Sequence, residues 1–523
     1  MKQSKYLLLF FSIFILIFSC KSKKKALREK YGVEEKKDKK KDKHEPTLAE
    51  IFSDGITIDD LDYHVYNLTA DSLEGRGTGT RGQHLASQYI KDFFVDEQVD
   101  PFSDVDGYFQ KYTATENNLP KVTLKTDFSS YEFGEDFISF FPHNNMTFKG
   151  KNIIYAGYGI ENPRYNDYAY RDVKDKIVLI RGGEPRDKYG NYIISGGQEP
   201  SEWSKDPIHS YILKRNAAQK HGARILLIYD PARKDYFWKN FEKKFKTRKL
   251  SVSVKKDSVY DFFINKKFFT DLTGYDTPDE MSYTKRTRKL TVPVEMTYEN
   301  SSQIVEAENV IGIIKGEKYK DEYIAIISHF DGQGIKKGQV YPSANDNASG
   351  VAASFEILEA FKTAIDSGFV PKRNIIFINL SGNEQEFLGA KFYASHPVVP
   401  LSKTLAVIEL RKLGRLQNDT GEDAIYPLQI TFDGFDAAGF KKAVNKIQSY
   451  NDYMKLSFNS GYELSDYIPF KKKKIPIIYF HGKTYPDYHK PTDTADKISY
   501  EILSKRTKFI FQIIWDLVNQ KKL

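Results

Sequence analysis

Residues 323–350 read YIAIISHFDGQGIKKGQVYPSANDNASG, and this stretch indicates which fold the chain adopts. It begins with a short apolar run, Tyr323 to Ile327, of the kind that a strand buried on both faces requires. A regular helical pattern starts at Val351, directly after the Asn- and Gly-rich end of the stretch. A strand that leads through a loop into a helix is the repeating unit of α/β proteins, so we predict an α/β fold.

Three polar side chains stand where this strand should end and where the helix should begin. His329 and Asp331 follow the apolar run, and Asp346 lies among the residues just before the helix. Ligands and catalytic groups of α/β proteins gather at the carboxyl ends of strands and at the starts of the following helices. An imidazole and a carboxylate from two such places can share one metal ion, although either one alone is more often a polar group that faces water.

The same alternation continues along the second half of the chain. Further strands are predicted from Asn309, at 374–380, at 404–410 and at 475–480, and a C-terminal helix is predicted from Tyr500. The last three strands run into the polar segments SGNEQEFLGAKFYASH, RKLGR and HGKTYPDYHKPTDTADKI. Strands and helices that alternate in this way argue for a sheet with helices on both faces.

The charge of the chain is concentrated at its N-terminus. The formal net charge is +9, and residues 1–43 account for all of it, so residues 44–523 carry no net charge. A nucleic-acid partner would require a basic surface on the folded part of the protein. The sequence therefore predicts no nucleic-acid partner.

The first twenty residues have the pattern of a bacterial lipoprotein signal peptide. Two lysines precede an apolar run from Tyr6 to Phe18, which is short for a membrane span but typical of a signal-peptide core. The run leads to Ser19 and Cys20, the only cysteine, in a pattern that resembles a lipobox. We predict a signal peptide at 1–20, a lipid-modified Cys20 that binds the membrane, and a location in the bacterial cell envelope on the periplasmic or surface face of the outer membrane. The alternatives are an uncleaved anchor and a cysteine that stands at this position by chance.

The remaining chain is predicted to divide into four parts. Residues 21–46 are rich in Lys, Glu and Asp, bury little apolar surface and are predicted to form a flexible tether. Residues 47–114 are assigned to the N-terminal part of the main domain, 115–290 to an insert and 291–523 to the rest of the main domain. The segments DVKDKIVLIRGG and AAQKHGARILLIYDP within the insert resemble a protease-associated domain, which implies a β-rich insert.

The order of these motifs resembles the zinc-dependent aminopeptidases, a family that also contains glutamate carboxypeptidase and the inactive transferrin receptor. The resemblance covers the chain from about residue 56 to its end, and its strongest motifs lie between His329 and Asp496. It implies a three-layer α/β/α zinc-exopeptidase domain. Members of the family hold two zinc ions bridged by an aspartate, and a glutamate that is not a ligand transfers the proton of the attacking water.

The resemblance assigns roles to five residues. His329 corresponds to the histidine ligand of the second zinc ion, and Asp331 corresponds to the carboxylate that orients this histidine. Asp346 corresponds to the bridging aspartate. Glu384 corresponds to a carboxylate ligand of the first zinc ion, and His489, within YPDYHKPTDTADK, corresponds to the histidine ligand of that ion.

One departure from the family pattern affects the general base. The family has two consecutive glutamates after the strand that ends near Leu380, and the first is the base, whereas this chain has Asn383-Glu384. An amide has no titratable proton acceptor near neutral pH. The loss of a general base typically lowers the rate about 100- to 10,000-fold.

A second departure affects the metal. The family motif N-L-D-M-x-G-R corresponds here to Glu409-Leu410-Arg411-Lys412-Leu413-Gly414-Arg415, which places Arg411 where the family has an aspartate ligand of the second zinc. A guanidinium group stays protonated and cannot ligate a cation. We expect Arg411 to exclude the second zinc and to pair with Asp346 instead. One zinc ion held by Asp346, Glu384 and His489 remains chemically reasonable, since three protein ligands and a water are a normal zinc set.

Three functions are compatible with these residues. The first is a lipid-anchored homologue with impaired or lost peptide hydrolysis that binds a peptide or a protein partner. The second is an active aminopeptidase with one zinc ion and a relocated base, for which Glu386 and Glu409 are the candidates. The third is a scaffold in which the tether and the insert carry the function. The two departures together favour the first.

Overall fold

The computed structural model describes most of the chain after the N-terminal segment. The described ranges are 45–103, 105–140, 143–246, 249–251, 259–283, 289–416, 426–433, 438–451, 453–458 and 464–521. The predicted signal peptide with Cys20 and nearly all of the predicted tether lie outside the described residues. None of the described helices combines the length and the apolar character needed to cross a bilayer.

The described residues divide into two compact units. The first unit contains the residues up to Tyr112 and those from Ala307 onward, and the second unit is Thr113–Glu306. The chain thus leaves the first unit once and returns to it once, as expected for a domain that carries an insert.

Three helices and a strand open the first unit. They are α1 (Leu48–Ser53), α2 (Ile58–Leu68), α3 (Arg81–Asp96) and β1 (Phe109–Glu116). Helix α1 begins with a capping box, in which Thr47 and Glu50 each accept a hydrogen bond from the backbone amide of the other. Leu61, Val65 and Leu68 of α2 are fully buried, so the helical spacing in the sequence marks a face that packs on the core.

The second unit contains most of the short strands. Its strands are β2 (Lys121–Thr126), β3 (Ser130–Glu132), β4 (Phe137–Ile138), β5 (Met146–Tyr155), β6 (Glu161–Asn162), β7 (Tyr165–Asn166), β8 (Ile177–Arg181), β9 (Ile225–Tyr229), β10 (Leu250–Ser251), β11 (Tyr260–Ile264) and β12 (Lys289–Glu299). Its helices are α4 (Pro207–Lys220), α5 (Lys234–Lys246), α6 (Lys266–Thr273) and α7 (Pro278–Tyr283).

The eight-stranded sheet of the second unit has the order β3-β2-β12-β5-β8-β9-β11-β4. Strands β5, β8, β9 and β11 are parallel, and β12 is antiparallel to both β2 and β5. The unit ends at Glu306 rather than at 290 as the sequence indicated, because the long strand β12 is paired on both sides within this sheet. Its likeness to a protease-associated domain stays a prediction.

The first unit resumes with the remaining elements. They are β13 (Gln303–Ile314), β14 (Tyr319–His329), β15 (Gly334–Lys336), β16 (Gln339–Tyr341), α8 (Ser349–Asp366), β17 (Arg373–Leu380), α9 (Leu388–Ser395), β18 (Thr404–Arg411), β19 (Tyr426–Asp433), α10 (Ala438–Gln448), β20 (Met454–Phe458), α11 (Ile468–Lys472), β21 (Ile477–His481) and α12 (Tyr500–Asn519). The strand order in its large sheet is β1-β13-β17-β14-β18-β21-β19-β20.

The centre of this sheet is parallel and covered on both faces. Strands β17, β14, β18 and β21 are parallel neighbours, so their carboxyl ends meet at one edge. Alternate residues of β17 enter different cores: Ile375 and Phe377 pack with α8 and α12, whereas Ile376 and Ile378 pack with α9 and α11. The predicted α/β class and its three-layer arrangement are confirmed.

Candidate metal centre

The polar residues predicted from the sequence lie at the carboxyl edge of the parallel strands. His329 is the last residue of β14, Arg411 is the last residue of β18, and Asn383 and Glu384 follow β17 after a tight turn. The turn requires a glycine at position 382, because φ is +77° there. A Cβ atom on Gly382 would also lie only 2.8 Å from the hydroxyl oxygen of Tyr112. The parallel register therefore brings residues from three separate sequence segments to one place.

The glycine-rich segment that follows α2 supports this edge. Arg76 is fully buried, and its guanidinium donates hydrogen bonds to the backbone oxygens of Phe330 (2.7 Å), Pro342 (2.9 Å) and Ser343 (3.0 Å). These carbonyls belong to the two ends of the loop between His329 and Asp346. The segment is thus a structural clamp on the loop that carries the site.

Asp346 lies in the short helical turn Ala344–Ala348 that precedes α8. The neighbouring amides fix this turn: Nδ2 of Asn347 donates to the Leu410 oxygen at 2.9 Å, and Oδ1 of Asn345 accepts from the Gly414 amide at 2.8 Å. Asp493 accepts hydrogen bonds from the backbone amides of Asn345 and Asp346. The carboxylate of Asp346 is therefore held against the end of β18.

Arg411 and Asp346 form a two-pronged ion pair, as the sequence predicted. Nε of Arg411 lies 2.7 Å from Oδ1 of Asp346, and Nη2 lies 3.0 Å from Oδ2. Both side chains are buried, with 4% and 1% of their surface exposed. Burial alone would raise the pKa of Asp346, but Arg411 and the two histidines that face this carboxylate hold the pKa well below its usual range.

His329 connects Asp346 to a second buried carboxylate. Its Nε2 lies 3.3 Å from Oδ1 of Asp346, and its Nδ1 faces Asp331 at 3.5 Å. Burial would lower the pKa of His329, but these two carboxylates outweigh burial and raise the pKa to about 10. Asp331 also accepts hydrogen bonds from Thr78 and from the backbone amides of Asn383 and Glu384, so it orients the histidine and the β17 turn together.

Asp346, Glu384 and His489 form a cluster that fits one metal ion. One ligand atom from each residue lies within 4.8 Å of the other two. Nε2 of His489 is 3.3 Å from Oε1 of Glu384 and 3.4 Å from Oδ2 of Asp346. Oε1 of Glu384 is buried and faces Nε2 of His489, and Gln333 donates a hydrogen bond to the other oxygen of this carboxylate. An imidazole with two carboxylates is a normal zinc donor set.

A guanidinium occupies the position that the resemblance assigns to a ligand of the second zinc ion. The guanidinium of Arg411 engages both oxygens of Asp346 and donates from Nη1 to Ser465 at 3.1 Å. Asp346 raises the pKa of Arg411 well above its usual value, against the effect of burial, so the positive charge is fixed. A guanidinium cannot ligate a cation, so the Asp346 carboxylate faces a fixed positive charge at this point.

Asn383, which the resemblance places at the position of the general base, is hydrogen-bonded to a buried carboxylate. Nδ2 of Asn383 donates to Oδ2 of Asp466 at 2.8 Å, and Asp466 is completely buried. Burial raises the pKa of Asp466 to about 6. No spacing pattern in the sequence points to Ser465 and Asp466, since both come from the loop before α11 and reach the site only through the fold.

Glu409 lies beside Arg411 rather than beside the three metal-ligand candidates. Ser465 donates to one oxygen of Glu409, and the backbone amide of Tyr467 donates to the other at 3.0 Å. Burial and the nearby Asp466 raise the pKa of Glu409 to about 8. The two candidates for a relocated base thus differ: Glu409 is 1% exposed and belongs to the Arg411 network, whereas Glu386 is exposed on the surface.

The sequence of the first unit is similar to those of known zinc-dependent peptidases. Residues 309–514 match the model of peptidase family M28. A putative zinc metalloprotease of Saccharomyces cerevisiae is 26% identical over 200 residues, which cover 36% of this chain and 22% of the relative. An aminopeptidase of Bacillus subtilis is 25% identical over 228 residues, which cover 41% of this chain and 46% of the relative. The matched region thus spans less than half the length of these curated relatives.

The solved structures extend the likeness to both units. An aminopeptidase from an Aneurinibacillus strain aligns with 91% of this chain and 97% of its own chain, with a TM-score of 0.51 and 19% sequence identity. At this identity the likeness concerns the fold alone. The protein shares the α/β fold of this aminopeptidase, and its residues 309–514 form a domain that matches peptidase family M28.

Proposed function

We propose that this protein is a lipid-anchored envelope member of the family with impaired or lost peptide hydrolysis, which binds a peptide or a protein partner at the former catalytic site. The observation that carries the proposal is the buried ion pair between Arg411 and Asp346. It fills the place of the second metal ion with a fixed organic cation. The replacement of the general base by Asn383 supports the same conclusion.

The chemistry of the remaining residues is that of a binding site with at most one zinc ion. When bound by Asp346, Glu384 and His489, zinc supplies a Lewis acid that can polarise a carbonyl oxygen. Asn383 cannot accept a proton, and its amide is held by Asp466. Arg411 neutralises Asp346 permanently. These residues can orient a peptide end, but none of them is placed to carry the proton from water to a leaving amine.

A second candidate function is an active aminopeptidase with one zinc ion. The observation that favours it is the cluster of Asp346, Glu384 and His489, which supplies a complete donor set for such an ion. Glu409 and Asp466 are the buried carboxylates from which a relocated base would have to come. Both belong to the hydrogen-bond network of Arg411 and Asn383, which disfavours this alternative.

Hydrolysis of aminoacyl chromogenic substrates with added zinc distinguishes the two candidates. The wild type is compared with the triple variant Asn383→Glu, Glu409→Asn and Arg411→Asp, which restores the family residues at all three positions. We expect no turnover by the wild type, two zinc ions in the variant, and a rate increase of about 100- to 10,000-fold. Wild-type turnover that chelators abolish and that Glu384→Ala removes would contradict the first proposal and establish the second.

Binding is tested separately from hydrolysis. Short fluorescent peptides with free amino termini are titrated into the wild type and into His489→Ala, which alters the exposed part of the site. Saturable binding that this substitution removes supports the peptide-binding role. If binding persists unchanged in the variant, the pocket is a relic, and the tether or the second unit carries the function.

The membrane part of the proposal rests on the N-terminal sequence. Cys20→Ser is compared with the wild type after expression in a bacterium that processes lipoproteins. We expect the wild type in the membrane fraction and the variant outside it. Equal membrane association of both proteins would contradict a lipid anchor at Cys20.

A further inference from the structure

A second group of metal-ligating side chains lies in the first unit, away from the site described above. It contains His64 on α2 and Glu356 and Glu359 on α8, and one ligand atom from each lies within 4.8 Å of the other two. Glu356 and Glu359 are three residues apart, so they share one face of the helix. Glu356 lies seven residues, roughly 10 Å, beyond the first residue of α8, Ser349, whereas Asp346 lies in the turn before this helix, so the two groups are separate.

The His64 ring is held in an orientation that suits a ligand. Its Nδ1 is hydrogen-bonded to the hydroxyl of Tyr89 at 2.8 Å, which leaves Nε2 directed at Oε1 of Glu356. A partner on the other ring nitrogen is the usual arrangement for a histidine that binds a metal, because it fixes the tautomer and the ring plane. The other oxygen of Glu356 accepts a hydrogen bond from the Thr57 amide at 3.2 Å, so this carboxylate is oriented as well.

The separation of the ligand atoms favours an ion between them over a direct contact. Nε2 of His64 lies 4.0 Å from Oε1 of Glu356, which is too long for a hydrogen bond. Zinc binds nitrogen and carboxylate oxygen at about 2.0–2.2 Å, so two ligands of one tetrahedral ion lie roughly 3.4 Å apart. A movement of about half an ångström, within the range of a glutamate side chain, closes this difference.

The surroundings of the group increase the attraction for a cation. His64 is 6% exposed and Glu356 is 1% exposed, and the rings of Phe93 and Phe355 pack against the imidazole at centroid distances of 5.3 and 5.0 Å. Two carboxylates that face each other in such an apolar setting repel, and a divalent ion offsets this repulsion. Glu359 is only partly buried and provides a path from solvent.

We propose that His64, Glu356 and Glu359 bind a divalent transition-metal ion of the zinc class, which cross-links α2 to α8. The donor set of one imidazole and two carboxylates is the set that zinc accepts, with water completing the coordination. The ion stabilises the fold rather than taking part in chemistry at Asp346. The proposal is independent of the function proposed for that site.

Zinc content measured after dialysis of the full chain against a zinc buffer tests this site. The background is Glu384→Gln, which removes a ligand of the first group. We expect about one zinc ion per chain in this background and none after the further substitution His64→Gln or Glu359→Gln. Asp366→Asn on the same helix is the matched control and should retain the ion, since Asp366 is exposed and outside the group.

Thermal unfolding gives a second measurement that does not depend on the number of zinc ions found per chain. In the Glu384→Gln background, zinc should raise the melting temperature by about 3 °C or more, and Glu359→Gln should remove this increase. Glu359 is partly exposed, so its substitution leaves a folded protein to measure. The proposal is overturned if the Glu384→Gln chain binds no zinc, or if it binds the same amount with and without His64 and Glu359.

Discussion

The replacement of Arg411 by methionine gives a direct measure of the buried ion pair between Arg411 and Asp346. Methionine keeps most of the apolar length of the side chain and removes the charge and the three donors that face Asp346 and Ser465. Both members of the pair are almost completely buried, so Asp346 keeps its charge in a site from which water is excluded. Removal of one partner from a buried pair of this kind typically costs about 3–5 kcal/mol.

Two histidines beside Asp346 reduce the loss of stability that is expected for Arg411→Met. Nε2 of His329 at 3.3 Å and Nε2 of His489 at 3.4 Å remain beside Asp346 after the substitution. We therefore expect Arg411→Met to lower the free energy of unfolding by about 2–4 kcal/mol. The assay is urea unfolding at pH 7 in the presence of a chelator, followed by circular dichroism.

An exposed arginine pair provides the control. Arg81 lies 2.8 Å from Glu74, but its side chain is 69% exposed, so Arg81→Met should cost at most about 1 kcal/mol. The reasoning is refuted if the two substitutions change the free energy of unfolding by the same amount. In that case Arg411 would be a peripheral charge rather than the replacement for a metal ion.

Three further predictions concern single groups. The folded protein raises the pKa of Glu409 to about 8, so between about pH 4.5 and 8 it binds more protons than the unfolded chain. The free energy of unfolding should therefore fall by roughly 2–4 kcal/mol as the pH rises through this range. Urea titrations at several pH values should show this fall in the wild type and a flatter curve for Glu409→Gln. Burial lowers the pKa of His489, but Asp346 and Glu384 outweigh burial and raise the pKa to about 9, so a zinc ion must displace a proton from this imidazole. Competition titrations should show that the affinity for zinc falls about tenfold for each pH unit below 8. An affinity for zinc that does not depend on pH would exclude His489 as a ligand. Gly382→Ala should destabilise the protein by more than about 1 kcal/mol in thermal unfolding, because φ is +77° and the added Cβ meets other atoms at 2.8 Å; a neutral effect would show that the turn adapts.

The sequence was sufficient for the fold class and for the pairing of Arg411 with Asp346. Apolar runs such as Tyr323 to Ile327 mark strands that are buried on both faces, and the helical spacing after Val351 marks the helix that covers them. The presence of Arg411 indicated its partner, because a fixed cation at the end of this strand is expected to pair with the aspartate that the resemblance places next to it. These inferences depend on local patterns and on the chemistry of individual side chains.

Other parts of the site required the structure. Asp466 and Ser465 come from a loop without a recognisable spacing, and Glu409 was open to two interpretations until its burial beside Arg411 was seen. The group of His64, Glu356 and Glu359 combines residues almost 300 positions apart, on helices whose sequence patterns only indicate amphipathic packing.

The sequence by itself indicated the alternation of strands and helices at the centre of the large sheet, the polar residues at those strand ends and the two departures from the family pattern at Asn383 and Arg411. The tertiary structure alone decided which carboxylates share the buried space around Arg411, where the second unit ends, and which helices bring histidine and glutamate together. The physical reason is that periodicity encodes which face of an element is buried, whereas the partner of a buried charge depends on distances between segments that no local pattern specifies.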